Sequence, residues 1–191
     1  GKSGVVSVTY GNQTKSRLRT AFDSVTAPGA HGIFAQSIGG IGTTTTTGTQ
    51  VSVTVNQPIT TPGAGSFGVY AQSGGDGMGA IDVTINRTAS VTGGANATIP
   101  DAEDGAAIYV KGGTGSTLTN KGLITAGQSG IAINALETNL HFVNTGHYSG
   151  SILGKISSVV VENQQGGVFK AGQLLEVDRF DNAGVLYVAG E

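Results

Sequence analysis

The side chains able to do chemistry are few in this chain. Three histidines are present, His31, His141 and His147. His141 and His147 sit either side of Asn144, and no third residue has the spacing of a zinc ligand. His31 precedes a repeated run and reads as a corner residue. The chain has no Gly-x-Ser-x-Gly elbow; Gly127-Gln128-Ser129-Gly130 lacks both the spacing and a strand-to-helix turn.

The carboxylates cluster in two places. Asp101, Glu103 and Asp104 crowd one stretch, and Asp76 and Asp82 flank another. Oxygen-rich loops hold calcium, and the run Gly74–Gly79 is similar to a calcium-binding nonapeptide. It carries Gly79 where that motif needs an aspartate, and it does not recur. These acids read as solvated loop charges. A paired-carboxylate glycosidase needs a defined carboxyl separation, which no sequence supplies. No catalytic residue, metal or cofactor is assigned, and the chain is not expected to be an enzyme.

Binding chemistry is better represented. The run Gly32-Ile33-Phe34-Ala35-Gln36-Ser37-Ile38-Gly39-Gly40 returns as Gly68-Val69-Tyr70-Ala71-Gln72-Ser73-Gly74-Gly75. Weaker copies are Ala107–Gly113 and Gly130–Asn134, so the register runs Ile33, Val69, Ile108, Ile131 at intervals of 36, 39 and 23 residues. If Ile33, Val69 and Ile108 point inward, then Phe34, Tyr70 and Tyr109 point outward, because side chains alternate along a strand. Gln36, Gln72 and Lys111 share that face. An outward line of aromatics beside amides suits glycan or protein contact; long glycine-rich loops folding over it would instead bury it.

A second register runs through asparagine. Val51–Asn56 and Ile81–Asn86 alternate apolar and polar residues, as half-buried strands do. Asn120, Asn144, Asn163 and Asn182 follow. The intervals are 30, 34, 24, 19 and 19 residues. After Asn120, Asn144 and Asn182 a glycine comes two residues on, then an apolar pair; Asn163 carries two extra residues before its glycines. Asparagines stacked at equivalent corners would hydrogen-bond along the array, so a structural role is expected for all six.

Recurring units that cannot bury their own apolar stripe must stack. The shorter spacings fit the bare turn of a parallel β-helix. The longer ones imply loops at 39–50 with its Thr43–Thr47 run, 61–67, 74–80 and 93–105. One inward wall should hold Ile33, Ala35, Val69, Ala71, Ile108, Val110, Ile131 and Ile133. A second should hold Val51, Val53, Val55, Ile81, Val83 and Ile85. About seven rungs at roughly 4.8 Å make a rod about 30–35 Å long. Segment 14–25 reads as a loop or a short helix. Residues 1–139 form the looped segment, and 140–191 a compact set of C-terminal rungs.

Composition agrees. Charged residues are 12% of the chain, about half the usual share, which argues against plain disorder. Net charge is −2, no footprint for nucleic acid, and the one basic cluster, Lys15, Arg17 and Arg19, reads as a solvated loop. The absence of cysteine excludes disulfides and cysteine-ligated metals. No apolar run is long enough for a membrane-spanning helix.

The Gly32–Gly40 run with its echo at Gly68–Gly75, and the Asn-x-Gly-x-apolar units at Asn120, Asn144 and Asn182, resemble the passenger domains of bacterial autotransporters. The resemblance covers most of residues 30–191. It implies a right-handed parallel β-helix, exported through the outer membrane and displayed at the cell surface by a barrel that this chain does not contain. It implies an adhesin that contacts host matrix, a host-cell protein or glycan, or its own copies. A β-helical stalk presenting an effector elsewhere is the alternative, and a polysaccharide-acting enzyme a more distant one. Residues 140–191 are similar to the stretch that aids folding just before such a barrel.

Overall fold

The computed structural model describes residues 5–11, 18–19, 29–38, 49–75, 78–98 and 103–188. The described residues are all-β, and none of them forms a helix. Among the described residues no helix is long and apolar enough to cross a membrane.

Two sheets account for the strands. The first, in spatial order, holds β1 (Val6–Tyr10), β4 (Thr49–Val55), β7 (Met78–Ile85), β10 (Ser116–Asn120), β13 (Asn139–Asn144), β15 (Ser158–Asn163) and β17 (Arg179–Asn182). The second begins with β2 (Leu18–Arg19), β5 (Ile59–Thr60), β8 (Ser90–Thr92) and β11 (Leu123–Thr125). It reaches β14 (His147–Lys155), then continues through β12 (Ile131–Leu136), β9 (Ala106–Gly112), β6 (Phe67–Gly74) and β3 (Ile33–Ile38). β16 (Val168–Leu175) pairs with β14, and β18 (Val185–Tyr187) with β16. All these ladders are parallel. The chain visits the first sheet, then the two arms of the second, and starts again. From β14 onward one long strand serves both arms.

Alternation decides which face is buried. In β4, Val51, Val53 and Val55 are buried while Ser52 and Thr54 are half-buried. The register then stacks like on like: Val53 on Val83, Val83 on Leu118, Leu118 on Phe142, Phe142 on Val161, Val161 on Phe180. On the facing wall Ile33, Val69, Ile108, Ile133, Ile152 and Leu175 follow one another, with Ala35, Ala71, Val110 and Ala135 beside them. Both walls meet in one apolar cluster. Its later part is aromatic: Tyr148 stacks on Phe169 at 4.4 Å, and Phe180 meets Phe169 edge-on at 4.8 Å. Burying rings of that size contributes on the order of 2–3 kcal/mol each.

Several expectations need correction. Ile108 is aligned with Ile133, not Ile131. A register irregularity between Ile131 and Ile133 turns Ala132 and Ile133 to the main core and leaves Ile131 in a separate cluster. The segment 74–80 is mostly strand, since β6 ends at Gly74 and β7 begins at Met78. Within 93–105, Ala95 bridges to Ala64. Of segment 14–25 only Leu18–Arg19 is described, as strand. The Thr43–Thr47 run, Asp76, Asp101 and Lys15 with Arg17 lie outside the described residues.

Candidate functional site

The first arm of repeats brings the expected row together. Phe34 aligns with Tyr70 and Tyr70 with Tyr109. Their ring centroids are 4.7 and 4.9 Å apart, with planes inclined by 22° and 26°. Offset stacking of this kind adds about 0.5–1.5 kcal/mol per pair beyond area burial. The amides also pair: Gln36 Nε2 donates to Gln72 Oε1 at 2.6 Å, and the Tyr70 hydroxyl donates to the same oxygen at 2.9 Å.

The row is not uniformly outward. Phe34 is 54% exposed and Tyr70 half-buried, but Tyr109 is only 3% exposed. Phe67, Ala106, Ile131, Leu136 and Leu153 pack around Tyr109. Glu103, from the acidic stretch, is near enough to act on its hydroxyl. Glu103 accepts from Asn134 Nδ2 at 3.1 Å and from Lys155 Nζ at 2.7 Å, and Asn134 is the next residue after Tyr109 in the row. Burial pushes the Tyr70 and Tyr109 hydroxyls up, Tyr109 further because Tyr70, Glu103 and Glu137 add to it. Desolvation would raise the Glu103 carboxyl. The hydrogen bonds from Lys155 and Asn134, with the Lys155 and Lys111 charges, outweigh it and hold Glu103 below its ordinary value.

Two members of this cluster escaped the sequence reading. His31 stacks on Phe34 and Phe67 at 5.9 and 5.1 Å, and Phe67 lies 4.5 Å from Tyr109. The His31 Nδ1 accepts the Phe67 backbone N–H at 3.2 Å, and burial lowers its pKa. The signal was available: His31 stands three residues before Phe34, as Phe67 does before Tyr70 and Ala106 before Tyr109. His141 and His147 separate. His141 faces out of the first sheet, its Nε2 3.1 Å from Glu162, and His147 belongs to the second sheet.

The asparagines divide into two sets. Asn120 Nδ2 donates to Asn144 at 2.8 Å, Asn144 to Asn163 at 2.7 Å, and Asn163 to Asn182 at 2.7 Å. The first three are buried and point inward, in the column that Val55 and Ile85 begin. Asn86 donates to Asn56 at 2.6 Å, and both are half-buried one position further along. The glycine of each Asn-x-Gly unit has a steric reason. A Cβ on Gly146 would stand 2.2 Å from the Gly122 carbonyl oxygen, which accepts the His147 N–H at 2.8 Å.

A second concave region lies at a different corner. From Ile85 to its downstream equivalent Val91 the chain takes six steps, whereas Val55 to Ile59 and Asn120 to Ile124 take four. The extra residues push Arg87 and Thr88 outward beside a cleft of about 550 Å³.

As a chemical surface, the aromatic strip offers ring edges, one exposed ring and a fixed carboxamide pair, which suits contact and not bond-making. Comparison of the chain with protein-family models, with characterised proteins and with solved structures finds no match.

Proposed function

We propose that the chain is a right-handed parallel β-helix of about seven turns, and that it serves as a surface-displayed adhesin segment of the autotransporter passenger kind. Each turn comprises one strand of the first sheet and one of each arm of the second. The seven strands of the first sheet support that count. Its working strip is Phe34, Tyr70, Gln36 and Gln72, with Tyr109 as the buried floor at one end. The observation that carries this reading is the register-locked strip itself, where an exposed phenylalanine is held in line with a fixed amide pair. Partners of suitable chemistry are a matrix or cell-surface protein, a glycan, or a second copy. Each contact is weak, and display in many copies supplies avidity.

One observation favours a second reading, a structural stalk. The rings present their faces to one another, so little beyond Phe34 is open for stacking by a ligand. The test is adhesion of beads bearing the chain to a panel of matrix proteins, glycans and polysaccharides, with Phe34→Ser and Gln72→Ala as variants. Adhesion that falls with either variant, at unchanged circular dichroism, supports the strip. Undiminished adhesion sinks it, and no adhesion at all favours the stalk.

A further inference from the structure

The corner cleft is the strongest feature the adhesive strip leaves unused, and it stands on a different part of the molecule. It is lined by Gly11, Asn56, Gln57, Asn86, Arg87, Thr88 and Lys121. The polar groups are braced. Asn56 Nδ2 donates to the Gly11 carbonyl at 2.8 Å, Asn86 Nδ2 to Asn56 Oδ1 at 2.6 Å, and Thr88 Oγ1 to the Asn56 carbonyl at 3.0 Å. Among the described residues no carboxylate lines the cleft. Among the described residues neither Arg87 nor Lys121 takes part in a salt bridge, whereas Lys155 and Arg179 do. Two cations with no salt bridge among the described residues thus line one concavity, on a chain whose net charge is −2.

We propose that this cleft binds an acidic oligosaccharide, its sulfate or carboxylate group held between Arg87 and Lys121. A guanidinium offers an oxyanion paired donors, and an ammonium adds a point charge. The volume lies within the range of small-ligand clefts. The amide and hydroxyl walls supply partners for sugar hydroxyls. The local reason for the cleft is the two-residue excess of the Asn86 corner, which leaves Arg87 exposed in the same lining as Lys121.

The test is titration of the whole chain with a sulfated hexasaccharide, an oligogalacturonate and an uncharged malto-oligosaccharide of equal length. At least one acidic sugar binds, more weakly as salt is raised, and the uncharged one does not. The double variant Arg87→Gln/Lys121→Gln weakens binding by roughly tenfold or more, while Lys170→Gln, removing a cation elsewhere on the surface, changes it less than about twofold. The sulfate and uronate arms identify which oxyanion is preferred. Phe34→Ser keeps the acidic-sugar affinity, so loss of the aromatic-strip reading and loss of this one are separable. Absence of binding to either acidic sugar, equal binding of the neutral one, or an equal effect of Lys170→Gln overturns the proposal.

Discussion

Asn120 stands in register with Ile85, not with Asn86. One position separates a side chain that points into the core from one that sits at the corner, so the six asparagines are two structures. The inward set continues the column of Tyr10, Val55 and Ile85 with polar side chains. A buried polar group is tolerated only when its hydrogen bonds are made, and here each carboxamide answers the next.

That difference predicts unequal costs. Asn144 is buried and is bonded to both Asn120 and Asn163. Asn144→Ala strands a donor and an acceptor and costs about 3 kcal/mol of stability. Asn56→Ala, at a half-buried corner, costs about 1 kcal/mol or less. Urea unfolding of the two variants measures this directly; equal losses would contradict the inward ladder.

The glycine column predicts a steric effect without a conformational one. Gly146 has no left-handed backbone angle, and yet a Cβ there meets the Gly122 oxygen. Gly146→Ala therefore costs on the order of 2–3 kcal/mol by overpacking. Gly74 has open space around it and an ordinary backbone angle, so Gly74→Ala shifts stability by less than about 0.5 kcal/mol. Thermal midpoints of the pair decide the matter.

Much of this was legible in the residues. The alternation in Val51–Val55 and Ile81–Ile85 named one wall correctly, because a half-buried strand has no other way to hide three valines. The pairing of Phe34 with Tyr70 followed from the repeated Ala-Gln-Ser context, and that of Tyr70 with Tyr109 from the weaker copy at 107–113. What failed was register where spacing is irregular. Counting from Ile108 chose Ile131, since nothing in the residues marks the irregularity that aligns Ile133 instead. Counting asparagines chose Asn86 over Ile85 because the Asn56 and Asn86 copies carry their asparagine one position later than the Asn120 column does, whatever the length of the corner that follows. Burial of Tyr109 was hidden too, because Phe67, Ile131 and Leu153, which pack in its cluster, are far from it in the sequence.

Acid should loosen the aromatic cluster first. His31 is neutral when its Nδ1 accepts the Phe67 N–H, and burial lowers its pKa in the folded chain. Below the ordinary histidine value, near 6.5, the unfolded chain binds a proton that the folded one resists. Stability is then present above that value and is lost as pH falls. The urea midpoint drops between about pH 7.5 and 5.5, and His31→Phe, which keeps a ring but cannot titrate, drops less over the same interval.

Alkali acts by the opposite sign on the buried phenols. Tyr148 lies in the core with its hydroxyl donating to the Ser151 carbonyl at 3.1 Å, and burial holds its pKa well above the ordinary value. Tyr70 and Tyr109 are raised as well. In the unfolded chain a tyrosine releases its proton near pH 10; in the folded chain these do not. The folded state then carries more protons, so stability is full below about pH 10 and falls above it. Tyr148→Phe removes one of these groups with little change in volume. It loses the Ser151 hydrogen bond, about 1 kcal/mol at neutral pH. Its urea midpoint then declines less steeply than that of the parent chain between about pH 9 and 11. Parallel slopes for the two proteins would mean that the Tyr148 hydroxyl reaches solvent in the folded chain.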